Sequence, residues 1–459
     1  MDIVERLRSV CAEVSEEPDV LDAAGEDRWT MAAAVATRPA AVARPATAAE
    51  VAAVLAECSS ARVPVTPAGG RSGVCGGAIP VHGGVVLDVR DLTGACHVDD
   101  RSLLVDVRAG TMGDVLEAEL RDRHGLTLGH RPQSVAISTV GGWLACRSAG
   151  QYSTRYGKIE DMVAGLEIAL ADGRLVRTGG RGPRAAVGPD LTQLFVGSEG
   201  TMGVITEARL RLRPAPVAER RVAYRFGTFA DGIDSCRRIL RRGATPAVLR
   251  LYDEAESAES YSVAGPLLVV LDEGEPWLVD ATMAVVAEEC RAGGAEACGP
   301  APVDRWVAHR DDTRDVAALA RQGIYGDTLE VAAGWSSLPG LHEAVRTAVS
   351  EVAGTIWFSC HLSHAYSDGA CLYLTMAGQG ERWYVPAWDA AAGAVLANGA
   401  VLSHHHGIGL AKARFLPAFL GAGHSVLADV KRVLDPAGIL NPGKLGLPDP
   451  FGPVGWPAP

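Results

Sequence analysis

The most unusual string in the chain is Ser403-His-His-His-Gly-Ile-Gly409. Imidazole titrates near neutrality, so a histidine here can move a proton at physiological pH. Adjacent side chains diverge, so at most two of His404, His405 and His406 are expected to share one site. The glycines that follow allow backbone to approach a ligand closely. An exposed polar turn or an adventitious metal binder is the competing reading of the same string. Tyr373 is the second candidate. If residues around it are extended, Cys371, Tyr373 and Thr375 fall on one face and Leu372, Leu374 and Met376 on the other. The polar face is then free to line a cleft, although an ordinary half-buried tyrosine gives the same pattern.

Three clusters of small residues could bind an anion or a long nucleotide. Pro67-Ala-Gly-Gly-Arg-Ser-Gly73 follows a short apolar strand. Its glycines let backbone N–H groups converge on a pyrophosphate, although a single such loop is as readily a tight turn. It is neither a Walker loop nor a GxGxxG fingerprint. The other clusters are Ser138-Thr-Val-Gly-Gly-Trp143, continuing to Cys146-Arg-Ser-Ala149, and Gly197-Ser-Glu-Gly-Thr-Met-Gly-Val-Ile205.

The elements that must carry these residues are readable in outline. Thr47-Ala-Ala-Glu50 predicts a capping box, and Val51, Val54, Leu55 and Cys58 then recur at helical spacing. Val63 to Thr66, Val85 to Val89, Leu103 to Val107 and Val204 to Leu212 read as strands. Asp172-Gly173 marks a hairpin turn. After Pro214-Ala-Pro216 longer helical stretches mix with strands such as Pro266 to Leu271. Ile356 to Met376 reads as two strands around Ser367-Asp-Gly369, and a helix near Val426 to Leu434 stops at Asp435-Pro436.

Composition narrows the function classes. The 459 residues are 48% hydrophobic and 21% charged, an ordinary globular balance. Lys plus Arg is 43 and Asp plus Glu is 55, a formal charge of −12. With no basic cluster, nucleic acid and anionic membranes are poor partners, while a small anionic substrate inside a cleft stays open. No signal peptide or membrane-spanning run is visible. The ten cysteines are scattered without a CxxC pair, which fits reduced thiols and a cytoplasmic location rather than structural zinc or a disulfide framework.

Taken together, the three small-residue blocks, in this order, and the tail Asp435-Pro-Ala-Gly-Ile-Leu-Asn-Pro-Gly-Lys444 resemble the vanillyl-alcohol-oxidase-like family of FAD proteins, with its PCMH-type FAD-binding domain. The resemblance implies an α+β fold: a lead-in helical segment over 1–37, a two-part FAD-binding domain over 38–216, an α/β cap over 217–395 and a C-terminal segment over 396–459 that returns to the flavin. It places Pro67, Ala68, Gly69, Gly70, Arg71, Ser72 and Gly73 around the pyrophosphate. Gln133, Ser134, Ser138, Thr139, Gly142, Cys146, Arg147, Ser148 and Ala149 would line the ribityl and ring, as would Glu199, Gly200, Gly203, Val204 and Ile205. Some members tether flavin through a histidine after the first Gly-Gly. Arg71 stands there, so non-covalent FAD is expected.

The histidine string resembles the alkylglycerone-phosphate synthase branch of that family. By the same resemblance Tyr373 matches its catalytic tyrosine, Arg250 an arginine needed for activity, and Arg314 a substrate-binding arginine, with Arg321 a rival for that place. The dehydrogenase branch instead carries a metal-binding HxGDGNxH. The corresponding string from His364 to Tyr373 has an extra residue and lacks the Asn and the last His, so no catalytic metal is expected, while His361 could still line the pocket. Two activities are implied. One is FAD-dependent oxidation of a small hydroxylated or aminated molecule. The other is non-redox ether-bond formation through a flavin adduct. A homodimer is among the assemblies left open.

Overall fold

The computed structural model describes residues 2–180, 182–312 and 316–456. Its first half is built on two sheets. A four-stranded sheet runs Glu13–Ser15, Ala41–Arg44, Val85–Asp88, Val65–Ala68, the last three strands parallel. A five-stranded antiparallel sheet runs Ala95–Asp99, Leu104–Arg108, Val204–Arg211, Val163–Ala169, Leu175–Arg177. The lead-in is not purely helical, because Glu13–Ser15 pairs with Ala41–Arg44 and so satisfies the edge of the first sheet. Thr47 caps helix Ala48–Ala61 through Glu50 N, as expected. The reciprocal half of the box differs: Glu50 Oε2 accepts from Ala46 N at 2.7 Å. Leu170 N donates to Arg174 O across the Asp172-Gly173 turn, where Gly173 takes φ +85°.

The second half is organised by a seven-stranded antiparallel sheet. Its order is Glu296–Gly299, Ala218–Arg225, Leu267–Gly274, Val248–Tyr252, Thr355–Ala365, Gly369–Gln379, Ile324–Gly334. One face carries Leu249, Leu251, Leu329, Val331, Cys360, Leu362, Leu372, Leu374 and Met376. These pack, fully buried, against helices Phe229–Arg241, Pro276–Ala292, Leu338–Ser350 and Tyr384–Ala397. Strand alternation therefore turns residues 250, 328, 330, 361 and 373 to the other face. That face meets the first half of the chain. Segment Ser153–Tyr156 docks there, with Arg155 bonding Asp272 at 3.1 and 3.2 Å and Tyr156 donating to Glu273 at 2.8 Å. The tail then returns: Val65 N donates to Ile439 O and Asn441 N to Val65 O. Among the described residues no helix is long and apolar enough to cross a membrane, and all ten cysteines are free.

Candidate active site

Register assembles the centre of the site. Tyr252 pairs with His361, His361 with Tyr373, and Tyr373 with Glu330, so four polar side chains form one transverse row on four adjacent strands. Arg250 precedes Tyr252 by two residues on the same face. The His361 and Tyr373 rings stack at 4.8 Å with 12° between their planes. Thr328 Oγ1 donates to the Tyr373 hydroxyl at 3.2 Å. Burial pushes the Tyr373 phenol up to about 12, so it is protonated at neutral pH and donates a hydrogen bond rather than removing a proton.

The histidine segment crosses the end of this row. Val401 bridges Ala332, and His404 N donates to Glu330 O at 3.1 Å. The Glu330 carboxylate gathers the rest: His405 N at 3.2 Å, His406 N at 2.8 Å, the Ser403 hydroxyl, and Lys412 Nζ at 2.5 Å. Burial alone would raise the Glu330 carboxyl. The Lys412 charge and the hydrogen bonds from Lys412 and Ser403 outweigh it and hold the group well below the usual carboxylate range. The expectation that at most two histidines share a site needs correction. His404 and His405 face His364, at ring separations of 5.1 and 4.8 Å, while His405 and His406 face Tyr373, at 6.3 and 5.5 Å. Because Glu330 curls the backbone around its carboxylate, the rings fan along one arc. The exposed-turn reading fails, since His404 is buried and its neighbours nearly so.

A chain of hydrogen bonds runs behind the arc. His404 Nδ1 bonds His405 Nδ1 at 2.9 Å, and Tyr366 Oη bonds His404 Nε2 at 3.1 Å and Ser153 Oγ at 3.4 Å. Ser153 Oγ bonds His364 Nδ1 at 2.7 Å. Burial lowers His364 and His405 well below the ordinary imidazole value. It brings His404 to about 3, with the nearby Lys158 charge acting in the same direction. The cluster is therefore neutral. One nitrogen from each of His364, His404 and His405 lies within 4.8 Å of the others, a spacing able to hold a metal. His404 Nδ1 and His405 Nδ1 already bond each other, so a cation that used either atom would have to break that contact.

The small-residue blocks surround this centre. A Cβ on Gly70 would lie 2.0 Å from Ile137 O, so only glycine lets the first loop pack on the second. Pro67 and Ala68 end strand Val65–Ala68, and among the described residues the amides of Gly70, Arg71, Ser72 and Gly73 donate to no backbone carbonyl. Arg71 is φ +50°, lies 3.5 Å from Asp88 and leaves its buried Nε without a partner. Thr139 caps helix Val140–Cys146 through Gly142 N, and Arg147 ends it at φ +54°. Ser138 Oγ accepts from Trp143 Nε1 and donates to Ser134 O. Gln133 instead donates to Asp312 O on the second half of the chain. Ser148 N donates to Trp143 O, and Ala149 is buried. Burial raises the Cys146 thiol, consistent with an inert small side chain. Glu199, at φ +50°, turns its carboxylate to Ile408 N at 2.6 Å and Gly409 N at 2.7 Å, tying the third block to the histidine segment. Gly200 abuts Pro67, Gly203 abuts Ile168, and Val204 and Ile205 open strand Val204–Arg211.

The donor set fits FAD. Unpaired buried polar atoms of Arg71, Arg250, Ser363 and Asn441 are left for a polar ligand, and the loop amides suit a pyrophosphate. Arg250 is placed at the row, where its Nη2 bonds His361 Nε2 at 2.6 Å. Arg314 lies outside the described residues, and Arg321 ends helix Val316–Arg321. Glu330, Lys412, Ser153 and Tyr366 were not legible as site residues. Glu330 sits in an alternating strand like many exposed acids, and only its partner Lys412, far along the chain, distinguishes it.

Comparison with known proteins identifies the family. A model of the FAD binding domain matches residues 39–179, and a model of the C-terminal domain of FAD linked oxidases matches residues 215–445. The chain is 29% identical over 427 residues to alkyldihydroxyacetonephosphate synthase of Dictyostelium discoideum, covering 83% of this chain and 69% of the relative. It is equally 29% identical over 431 residues to the uncharacterized FAD-linked oxidoreductase YgcU of Escherichia coli K12, covering 89% of each. Glycolate oxidase subunit GlcD of Bacillus subtilis is 28% identical over 428 residues, covering 89% of each chain. A solved alkyldihydroxyacetonephosphate synthase superposes with a TM-score of 0.81 at 24% identity, over 96% of this chain and 85% of the other. Substrate-bound p-cresol methylhydroxylase gives 0.77 at 17%, over 97% and 96%, a likeness of fold alone. FAD is therefore the cofactor, and because the second domain model spans more than half of its length, the chain belongs to the FAD-linked oxidase family.

Proposed function

We propose that the protein is an FAD-dependent oxidoreductase that acts on a small hydroxylated or aminated molecule. The observation that carries this reading is the pairing of a protonated phenol, Tyr373, with neutral imidazoles at His405 and His406. Bound FAD supplies the two-electron acceptor. Residues 67–73 would hold its pyrophosphate through loop amides, and the blocks around Thr139, Cys146 and Glu199 its remainder. Tyr373 donates to the substrate heteroatom and orients it. A neutral imidazole of the arc, His405 or His406, takes the proton from that heteroatom as the adjacent C–H is oxidised. Arg250, buried with Nε unpaired, grips an anionic group on the substrate. Burial of the arc keeps bulk water from competing for the proton.

A second reading is ether-bond formation like that of alkyldihydroxyacetonephosphate synthase. It is favoured by the combination of three histidines, Tyr373 and Arg250, and by relatives that bear that name. Anaerobic stopped-flow absorbance separates the two. An oxidoreductase bleaches its yellow band with substrate, and an added acceptor restores it. A synthase exchanges acyl for alkyl on acyl-dihydroxyacetone-phosphate with a fatty alcohol, and turns over without any acceptor. We expect bleaching by a hydroxylated or aminated small molecule. Sustained acceptor-free exchange would replace the redox reading with the synthase.

A further inference from the structure

We propose that Glu256, acting through His361, is the positioning residue that presents Arg250 as a receptor for a phosphate or carboxylate. The proposal rests on the place given to Arg250 in the function above.

The donor and acceptor roles leave one arrangement. A guanidinium has only donors, so in the 2.6 Å contact between Arg250 Nη2 and His361 Nε2 the imidazole must accept. The His361 proton then sits on Nδ1. Glu256 receives it there, with Oε1 and Oε2 at 2.9 and 3.0 Å. His361 is thus a neutral bridge between a buried cation and a carboxylate. Burial and the Arg250 charge lower its pKa, and the pull of Glu256 does not reverse this. The bridge fixes both the rotation of the ring and the direction of the guanidinium.

The bridge is itself anchored. Glu256 lies in the first turn of helix Glu254–Tyr261. Asp253 caps that helix, with Oδ1 accepting from Glu256 N at 2.8 Å. Its Oδ2 accepts from Cys360 N at 2.6 Å, on the residue next to His361. One carboxylate therefore ties the helix that carries Glu256 to the strand that carries His361. On the opposite side His361 stacks on Tyr373, and Arg250 lies over the Tyr252 ring at 5.4 Å. Arg250 Nε, buried and unpaired, is left to donate to a ligand held beside the Tyr373 phenol.

The test titrates the FAD-loaded protein with inorganic phosphate and, separately, with acetate, following the flavin difference spectrum and calorimetry. Wild type should bind at least one of them. Glu256→Ala and His361→Ala should each weaken that binding about tenfold or more, the scale of one charge-assisted hydrogen bond. FAD content and the unliganded spectrum should be unchanged. Glu256→Gln keeps an acceptor for Nδ1–H and should stay within about threefold of wild type. Because the two residues act in series, the double alanine variant should be no weaker than the worse single variant. Wild-type affinity in either alanine variant, additive losses in the double variant, or no anion binding by wild type would each overturn the proposal. Anion binding needs no electron transfer, so these results are independent of whether any substrate bleaches the flavin.

Discussion

Glu330 and Tyr373 stand directly opposite each other across strands Ile324–Gly334 and Gly369–Gln379. One turns its carboxylate to the backbone of the histidine triplet and the other holds its phenol beside the histidine rings. A shift of one residue in that register would send Glu330 into the helix-covered core and scatter the acid and the base.

The Glu330–Lys412 pair should therefore carry both stability and geometry. Both side chains are fully buried and 2.5 Å apart. Lys412→Met leaves an uncompensated carboxylate, which costs about 3–5 kcal/mol. Adding Glu330→Gln should recover part of that loss, because the remaining amide is neutral. Urea unfolding of the three variants reads this, and a Lys412→Met protein as stable as wild type would contradict it.

Tyr373→Phe should retain FAD and fold while losing most turnover, by about 10²–10³ for one lost hydrogen bond to the reacting substrate atom. Alanine at His405 or His406 should act similarly. Rates with an active substrate, normalised to flavin content, decide the matter. If single alanine variants at 404, 405 and 406 all kept near-normal rates, the arc would have no acid–base role.

Acid precipitation should release the flavin into the supernatant. Arg71 occupies the usual tethering place and lies beside Asp88, and a guanidinium makes no bond to the isoalloxazine ring. Yellow colour kept in the washed pellet would reveal a covalent link through another residue.

Buried neutral imidazoles make the fold sensitive to acid. His404 titrates at about 3 in the native protein against about 6.5 when unfolded. Between those values the unfolded chain binds the extra proton, so stability from this residue is complete above pH 6.5 and falls as pH drops. Going from pH 7.5 to 5 should cost about 2 kcal/mol through His404 alone. His404→Asn should lose that much less over the same interval in paired urea melts. Equal losses in both proteins would mean that the native His404 is not held neutral.

Much of the scaffold is legible in the order of residues. The strands at Val85, Leu103 and Val204, the Asp172-Gly173 hairpin, the paired strands around Ser367-Asp-Gly369 and the helix stopped by Asp435-Pro436 follow from local periodicity and turn chemistry. Those signals are short-range, and a backbone responds to them wherever they occur. The small-residue blocks and the histidine string likewise announce themselves by type and spacing. The polar face of the Tyr373 strand is legible too, because alternation is a local property.

Tertiary structure decided which side chains act together. Only the register across four strands sets Arg250, His361, Tyr373 and Glu330 side by side. Only the meeting of both halves of the chain brings Ser153 to His364 and Glu199 to the amides of Ile408 and Gly409. The fan of all three histidines depends on a carboxylate more than seventy positions earlier in the chain. The protonation states were decided there as well. A tyrosine and a histidine in a sequence carry their ordinary pKa values, and only burial beside particular charges makes one a fixed donor and the other a neutral acceptor.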